Sequence, residues 1–260
     1  MCRLAMAVAA HPDDIEFMMA GTLILLGEAG YELHYMTIAN GSCGSMTMDA
    51  PETIAVRGEE AKAACKMIGA THHPPYVDDI ELVYDTGLIR KLCAVVREVN
   101  PQILLLPSPQ DYMEDHMNAS RLMVTAAFCR NMRNYETDPP TPLVESDVAL
   151  YHALPYGLTD QLRQPIVPDF FIDTSSVLEK KRDMLAYHTS QRQWLDDSQG
   201  VDNYLKTMED MSSTVGAMSG KFAQAEGWRR HSHLGFGPED FDPLRVTLRN
   251  YVAENRRGDA

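Results

Sequence analysis

His11-Pro12-Asp13-Asp14-Ile15-Glu16 sets one imidazole and two adjacent carboxylates where an apolar run gives way to an amphipathic one. Neighbouring carboxylates repel a phosphate and attract a cation, so the turn suits a metal rather than a nucleotide. A second cluster, Asp111-Tyr112-Met113-Glu114-Asp115-His116, follows another apolar run. His11, Asp14 and His116 together form a donor set of two imidazoles and one carboxylate. Such a set leaves a coordination position open, as hydrolytic zinc chemistry requires. Iron, manganese or cobalt would also be accepted by these donors. Asp13 cannot easily share the ligand geometry of Asp14, which leaves it free to act as a general base. Glu16 and Asp115 are expected to orient the ligand imidazoles by hydrogen bonding. The plainer reading of Asp13-Asp14 is a helix N-cap followed by an acid in the first turn. That reading leaves the His-Pro prefix and the matching Asp-x-x-x-Asp-His cluster without a reason.

Positioning these residues requires strands that end at the same edge. The apolar run 4–10 reads as a buried strand, followed by a helix over 15–29 that stops before Gly30. Further strands are expected at 32–39, 103–106 and 148–154. Helices are expected at 52–68, 88–99 and 116–134, and a loop rich in Gly, Ser and Met spans 42–51. This alternation predicts an α/β fold, a Rossmann-like parallel sheet with helices on both faces. Residues 1–155 form its core. Residues 156–260 are a C-terminal elaboration of the same single domain, with an edge strand at 169–173, helices at 177–187 and 203–225, and a loop at 231–243. Ligands of open α/β sheets sit beyond the carboxyl ends of strands at the topological switch point. The two clusters therefore face each other if their strands are neighbours. A nicotinamide-binding domain is excluded locally, because the first turn has no G-x-G-x-x-G.

Composition narrows the partners. A net charge of −14 over 260 residues, with no basic stripe, argues against nucleic acid and against an anionic membrane surface. The apolar stretch 17–26 is too short to span a bilayer, and no cleavable signal is evident. The five cysteines (2, 43, 65, 93 and 129) form no CxxC and read as reduced thiols of a cytoplasmic protein. Sixteen methionines, Met46 and Met48 among them, allow an apolar contact between copies and hence a homo-oligomer.

Ala10-His11-Pro12-Asp13-Asp14, the helix with Gly21-Thr22, the turn Asn40-Gly41 and the helix with Arg57-x-x-Glu60-Ala61 resemble the LmbE/PIG-L family. The resemblance spans roughly residues 4–135. These are zinc-dependent de-N-acetylases acting mostly on N-acetylglucosamine-type substrates, and some members cleave other acyl groups. The resemblance implies a Rossmann-like fold, His11, Asp14 and His116 as metal ligands, Asp13 as general base, and Arg57 as a residue that holds sugar hydroxyls. One departure matters. Family members often carry His-Pro-Asp-His in the second cluster, whose first His assists the tetrahedral intermediate or the leaving amine. Here Met113 stands in that place, and a thioether donates no hydrogen bond. His188, in Tyr187-His188-Thr189-Ser190-Gln191, is the first candidate to replace it, with His231 and His233 behind it. His72-His73 is assigned to a surface turn. The expected function is metal-dependent removal of an N-acetyl or other N-acyl group from an amino sugar or related polar metabolite. A non-catalytic metal- and sugar-binding protein on the same scaffold is the alternative.

Overall fold

The computed structural model describes residues 3–192 and 204–255. Cys2 and the expected helix start at Asn203 lie outside them. An eight-stranded sheet forms the centre, in the order β3-β2-β1-β4-β5-β7-β6-β8. The strands are β1 (Leu4–Ala9), β2 (Glu32–Thr37), β3 (Thr71–His73), β4 (Ile103–Leu106), β5 (Ala149–Ala153), β6 (Phe170–Asp173), β7 (Ala225–Arg230) and β8 (Val252–Glu254). From β3 to β5 all pairings are parallel, while β7 runs antiparallel to β5 and β6, and β8 antiparallel to β6.

β1 shows why the core has two halves. Its side chains alternate, so Ala5, Ala7 and Ala9 join one apolar cluster and Met6 and Val8 the other. The first cluster is covered by α1 (Asp14–Met18), α2 (Ala20–Glu28), α3 (Ala50–Met67), α6 (Leu178–Ala186) and α7 (Tyr204–Met218). On the other face lie α4 (Thr86–Val99) and α5 (Glu114–Phe128). Helices therefore cover both faces, as the alternation predicts. A short α8 (Pro243–Thr247) precedes β8.

Several boundaries differ from the sequence reading. The expected helix 15–29 breaks at Met19, whose φ of −136° is not helical. The new start leaves backbone N–H groups without partners, and the Glu226 carboxylate of β7 accepts from Gly21 and Thr22, each at 2.8 Å. Lys181 of α6 neutralises that buried carboxylate at 2.7 Å. The helix expected over 116–134 ends at Phe128. The buried Arg97 donates to the carbonyls of Cys129, Arg130 and Met132, which closes the helix end. The helix expected to reach residue 225 stops at Met218, before Gly220 at φ +62°, and β7 begins at Ala225. His72 and His73 belong to β3 rather than to a surface turn. His73 Nε2 lies 2.8 Å from His34 Nδ1.

β1 is flanked by β2 on one side and β4 on the other. The chain moves outward from β1 to β2 and β3, then returns to β4, so the switch point lies between β1 and β4. The His11 turn leaves β1 and the Asp111–His116 segment follows β4, which brings the two clusters to one crevice.

Candidate metal centre and catalytic pocket

Pro12 and a left-handed Asp13 (φ 108°) shape the turn after β1. Asp13 occupies the N-cap position of α1, yet its carboxylate caps no backbone N–H. Its Oδ2 accepts instead from the Tyr204 hydroxyl at 2.6 Å, and Arg57 Nη2 lies 3.6 Å from its Oδ1. Holding a non-glycine residue in such a conformation costs about 1–3 kcal/mol. Part of that cost is offset where Asp14 Oδ2 accepts the His11 backbone N–H at 2.8 Å.

The donor atoms of His11, Asp14 and His116 all lie within 4.8 Å of one another, and all three residues are buried. Each imidazole has one nitrogen held from behind. Asp115 Oδ2 is 2.9 Å from His11 Nε2, so Nδ1 faces Asp14 at 3.6 Å. Asp111 Oδ1 is 3.1 Å from His116 Nδ1, so Nε2 faces Asp14 at 3.3 Å. A carboxylate behind each imidazole fixes its tautomer and raises its basicity as a ligand.

Electrostatics favour a cation at this point. Asp13, Asp14, Asp79, Asp111 and Asp115 converge there, with Arg57 as the nearby guanidinium. Burial acts to lower the pKa of His11, but the carboxylates of Asp115 and Asp14 raise it to about 9. His116 is likewise driven upward, against burial, by Asp14 and Asp111. Burial opposes ionisation of Asp14, yet His116 and His11 hold its carboxyl well below the usual carboxylate range. The upward drive on both imidazoles records surplus carboxylate at this point, a charge that a dication would balance. The donor set, with two imidazole nitrogens and a carboxylate oxygen aimed inward, fits a divalent metal.

A cavity of about 390 Å³ opens over these donors, within the range of small-molecule sites. Phe17, Tyr112, Tyr156 and Tyr204 give it an aromatic wall, and Met113 also lines it. Burial pushes the Asp13 carboxyl up, an effect opposed by Arg57 and by the Tyr204 hydrogen bond. Burial and the Asp13 charge keep the Tyr204 hydroxyl protonated, so it remains a donor.

The remaining expected residues fall into two groups. Asp115 lies against the His11 imidazole. Glu16 does not: its Oε1 lies 3.2 Å from His188 Nε2, and its Oε2 accepts from Tyr35 at 3.0 Å. The first turn of α1 points Glu16 back into the sheet, away from both ligand imidazoles. His188 is fully buried beside Glu16 and is absent from the cavity wall, so it is not in place to replace the histidine missing at Met113. Burial lowers its pKa, but Glu16 more than restores it, and the imidazole is held above its ordinary value. His231 lines a separate cleft of about 560 Å³ that shares no lining residue with the first, and its Nδ1 lies 2.9 Å from His152 Nε2. Arg57 lines the cavity, but Nη1 donates to the Gly41 carbonyl at 3.1 Å and Nη2 to the Pro12 carbonyl at 2.6 Å. It thereby ties the turn to the Gly-rich loop. Gly41, at φ +82°, is required there, since a Cβ would meet the guanidinium at 2.7 Å.

Sequence reasoning gave no role to Tyr204, Asp79 or Asp111. Asp79 accepts from the Gly41 and Cys43 N–H groups at 2.7 and 3.0 Å, closing the loop over the site. Asp111 had a visible signal, its place at the head of the second cluster. Tyr204 and Asp79 had none, because each meets the site only through tertiary contact.

Residues 6–127 match the PIG-L family model, described as GlcNAc-PI de-N-acetylase, and this stretch is a PIG-L (LmbE-like) domain. Among curated proteins, the chain is 27% identical over 231 residues to diacetylchitobiose deacetylase of Thermococcus kodakarensis, covering 86% of this chain and 81% of that protein. It is 28% identical over 185 residues to 4-oxalmesaconate hydratase of Pseudomonas putida, covering 68% and 69%. Among solved structures, the fold matches the Pseudomonas putida hydratase GalB with a TM-score of 0.74 at 22% identity, covering 88% and 96%. It matches N,N'-diacetylchitobiose deacetylase of Pyrococcus horikoshii with a TM-score of 0.73 at 20% identity, covering 93% and 88%. Among the described residues no helix is long and apolar enough to cross a membrane.

Proposed function

We propose that the protein is a metal-dependent hydrolase that removes an N-acetyl group from an amino sugar. The observation that carries this reading is the placement of a half-buried carboxylate, Asp13, beside three converging donors on the wall of one cavity. A curated deacetylase of diacetylchitobiose among its relatives supports the substrate class.

His11, Asp14 and His116 would hold the ion, and zinc suits their chemistry. When bound, the metal supplies Lewis acidity that polarises an amide carbonyl and eases ionisation of water. Asp13 does the proton work. Its Oδ2 is occupied by the Tyr204 hydroxyl, so Oδ1 takes the proton from water as the water oxygen bonds to the carbonyl carbon. The same oxygen returns that proton to the amine nitrogen as the C–N bond breaks, giving a free amine and acetic acid, which releases its remaining proton to water as acetate. Arg57 holds the backbone of the turn, so Asp13 keeps its direction throughout.

The hydratase relative gives a second reading, addition of water across a carbon–carbon double bond. The cavity favours the first. Among the described residues Arg57 is the one cationic side chain on its wall besides the histidines, and both its Nη atoms serve backbone carbonyls. Apart from the ion itself, a substrate with several carboxylates would find no cationic side chain on the wall that is not already engaged. Incubation of metal-loaded protein with N-acetylglucosamine-type substrates and with unsaturated carboxylic acids separates the two. Acetate and amine in equal amounts support hydrolysis; a hydrated acid without acetate rejects it.

A further inference from the structure

The chain carries 37 acidic and 23 basic side chains, yet its second cleft is cationic. Arg121, Arg229 and Arg230 line it against a single carboxylate, Asp169. The catalytic cavity has the opposite polarity, with Asp13, Asp14 and Asp79 against one guanidinium. A recess lined by one sign of charge concentrates small ions of the other sign. At about 560 Å³ the second cleft has the size of a small-molecule site.

Two elements supply the cations from different sides. Arg121 is exposed on α5, its guanidinium 4.9 Å from the centroid of the Tyr84 ring. Arg229 lies on β7, where Nη1 donates to Gln110 Oε1 at 2.7 Å and Nη2 to Ser108 Oγ at 3.0 Å. These contacts fix its guanidinium before any ligand arrives. The strand pattern continues past β7, since the His231 N–H donates to the Leu150 carbonyl. Side chains alternate along a strand, so His231 falls on the same face as Arg229.

The His231 imidazole has a defined polarity. The Pro107 carbonyl can only accept, so His152 Nδ1, 2.9 Å away, carries a hydrogen. Burial keeps His152 neutral at pH 7, and its bare Nε2 accepts from His231 Nδ1 at 2.9 Å. Burial also lowers the pKa of His231, which leaves its Nε2 as an acceptor. The cleft therefore offers strong donors at its arginines and an acceptor at His231.

We infer that this second cleft binds a phosphate monoester of a hydroxylated small molecule, with the phosphate between Arg121 and Arg229 and a ligand hydroxyl donating to His231 Nε2. A carboxylate holds its two oxygens in one plane. A phosphate ester offers three terminal oxygens in three directions, which suits guanidiniums that reach it from separate elements. Its dianion has no hydrogen to give His231, so the donor is a hydroxyl elsewhere on the ligand. Nothing in this site depends on the metal or on the removal of an acetyl group.

The probe is glucose 6-phosphate, titrated by calorimetry into the metal-loaded protein, with glucose, inorganic phosphate and glucuronate as comparisons. One equivalent should bind per chain, about tenfold or more tighter than each comparison. Binding should persist after a chelator has removed the ion. Arg121→Gln, at an exposed position, should weaken it about tenfold. His231→Phe should weaken binding of the ester and leave that of inorganic phosphate unchanged. Absence of binding, binding that disappears with the ion, or equal affinity in Arg121→Gln overturns the site. Inorganic phosphate or glucuronate bound as tightly as the ester overturns the ligand class, and an unchanged affinity for the ester in His231→Phe overturns the hydroxyl contact.

Discussion

The Tyr204 hydroxyl donates to Asp13 Oδ2 at 2.6 Å across 191 residues of sequence. This contact ties the start of α7 to the turn after β1 and leaves one carboxylate oxygen available for proton transfer. The hydrogen bond favours the ionised carboxylate, so its removal raises the pKa of Asp13. Because the base acts ionised, Tyr204→Phe should move the acid limb of the kcat/KM profile to higher pH. A hydrogen bond to a charged group contributes about 1.5–3 kcal/mol, so kcat should fall roughly tenfold or more while KM changes little. An unmoved acid limb would separate Tyr204 from the base.

Asp13→Asn keeps the shape of the turn and removes the proton acceptor. Turnover should fall by about 10²–10⁴, with bound metal unchanged by elemental analysis. Loss of metal in this variant would place Asp13 among the ligands instead.

Asp111 and Asp115 stand behind the two imidazoles. Asp111→Asn and Asp115→Asn should each weaken metal affinity by about 10–100-fold, read by competition with a chelator. Full affinity in both variants would show that the imidazoles need no such support.

His152, which lines the separate cleft, makes an acid-stability prediction. It is buried, its Nδ1 lies 2.9 Å from the Pro107 carbonyl and its Nε2 faces His231. Burial lowers its pKa to about 4. In the unfolded chain it titrates near 6.5. Between these values the unfolded state binds the extra proton, so the stability is complete above about pH 6.5 and lost as pH falls toward 4. The full loss is on the order of 3 kcal/mol. Urea midpoints at pH 7 and pH 5 should differ less in His152→Asn than in the wild type; an equal difference would assign the acid sensitivity elsewhere.

Two of the three candidate donors were legible because they are local. His11 and Asp14 share one turn, and their strand carries an unbroken apolar run. Where tertiary contact decides, the sequence was silent or misleading. β7 reads Ala-Glu-Gly-Trp-Arg-Arg, with no apolar alternation, and its buried Glu226 is compatible with a strand only because Lys181 and the α2 N–H groups meet it. Glu16 lies two residues from a metal donor, yet helical geometry turns it toward His188. His188 shares a polar run with Ser190 and Gln191, which suggested an open site; folding α6 against α1 encloses it instead. Arg57 looked like a ligand for sugar hydroxyls, and the carbonyls of Pro12 and Gly41 that occupy it are invisible in composition or spacing.

Metal content and acetate release, followed in one sample of the protein titrated with a chelator, decide whether this is a metal-dependent hydrolase. A metal-dependent hydrolase holds one divalent ion per chain, loses acetate release in proportion as the ion is withdrawn, and recovers both when zinc is restored. Acetate release that persists after the ion has gone would contradict it.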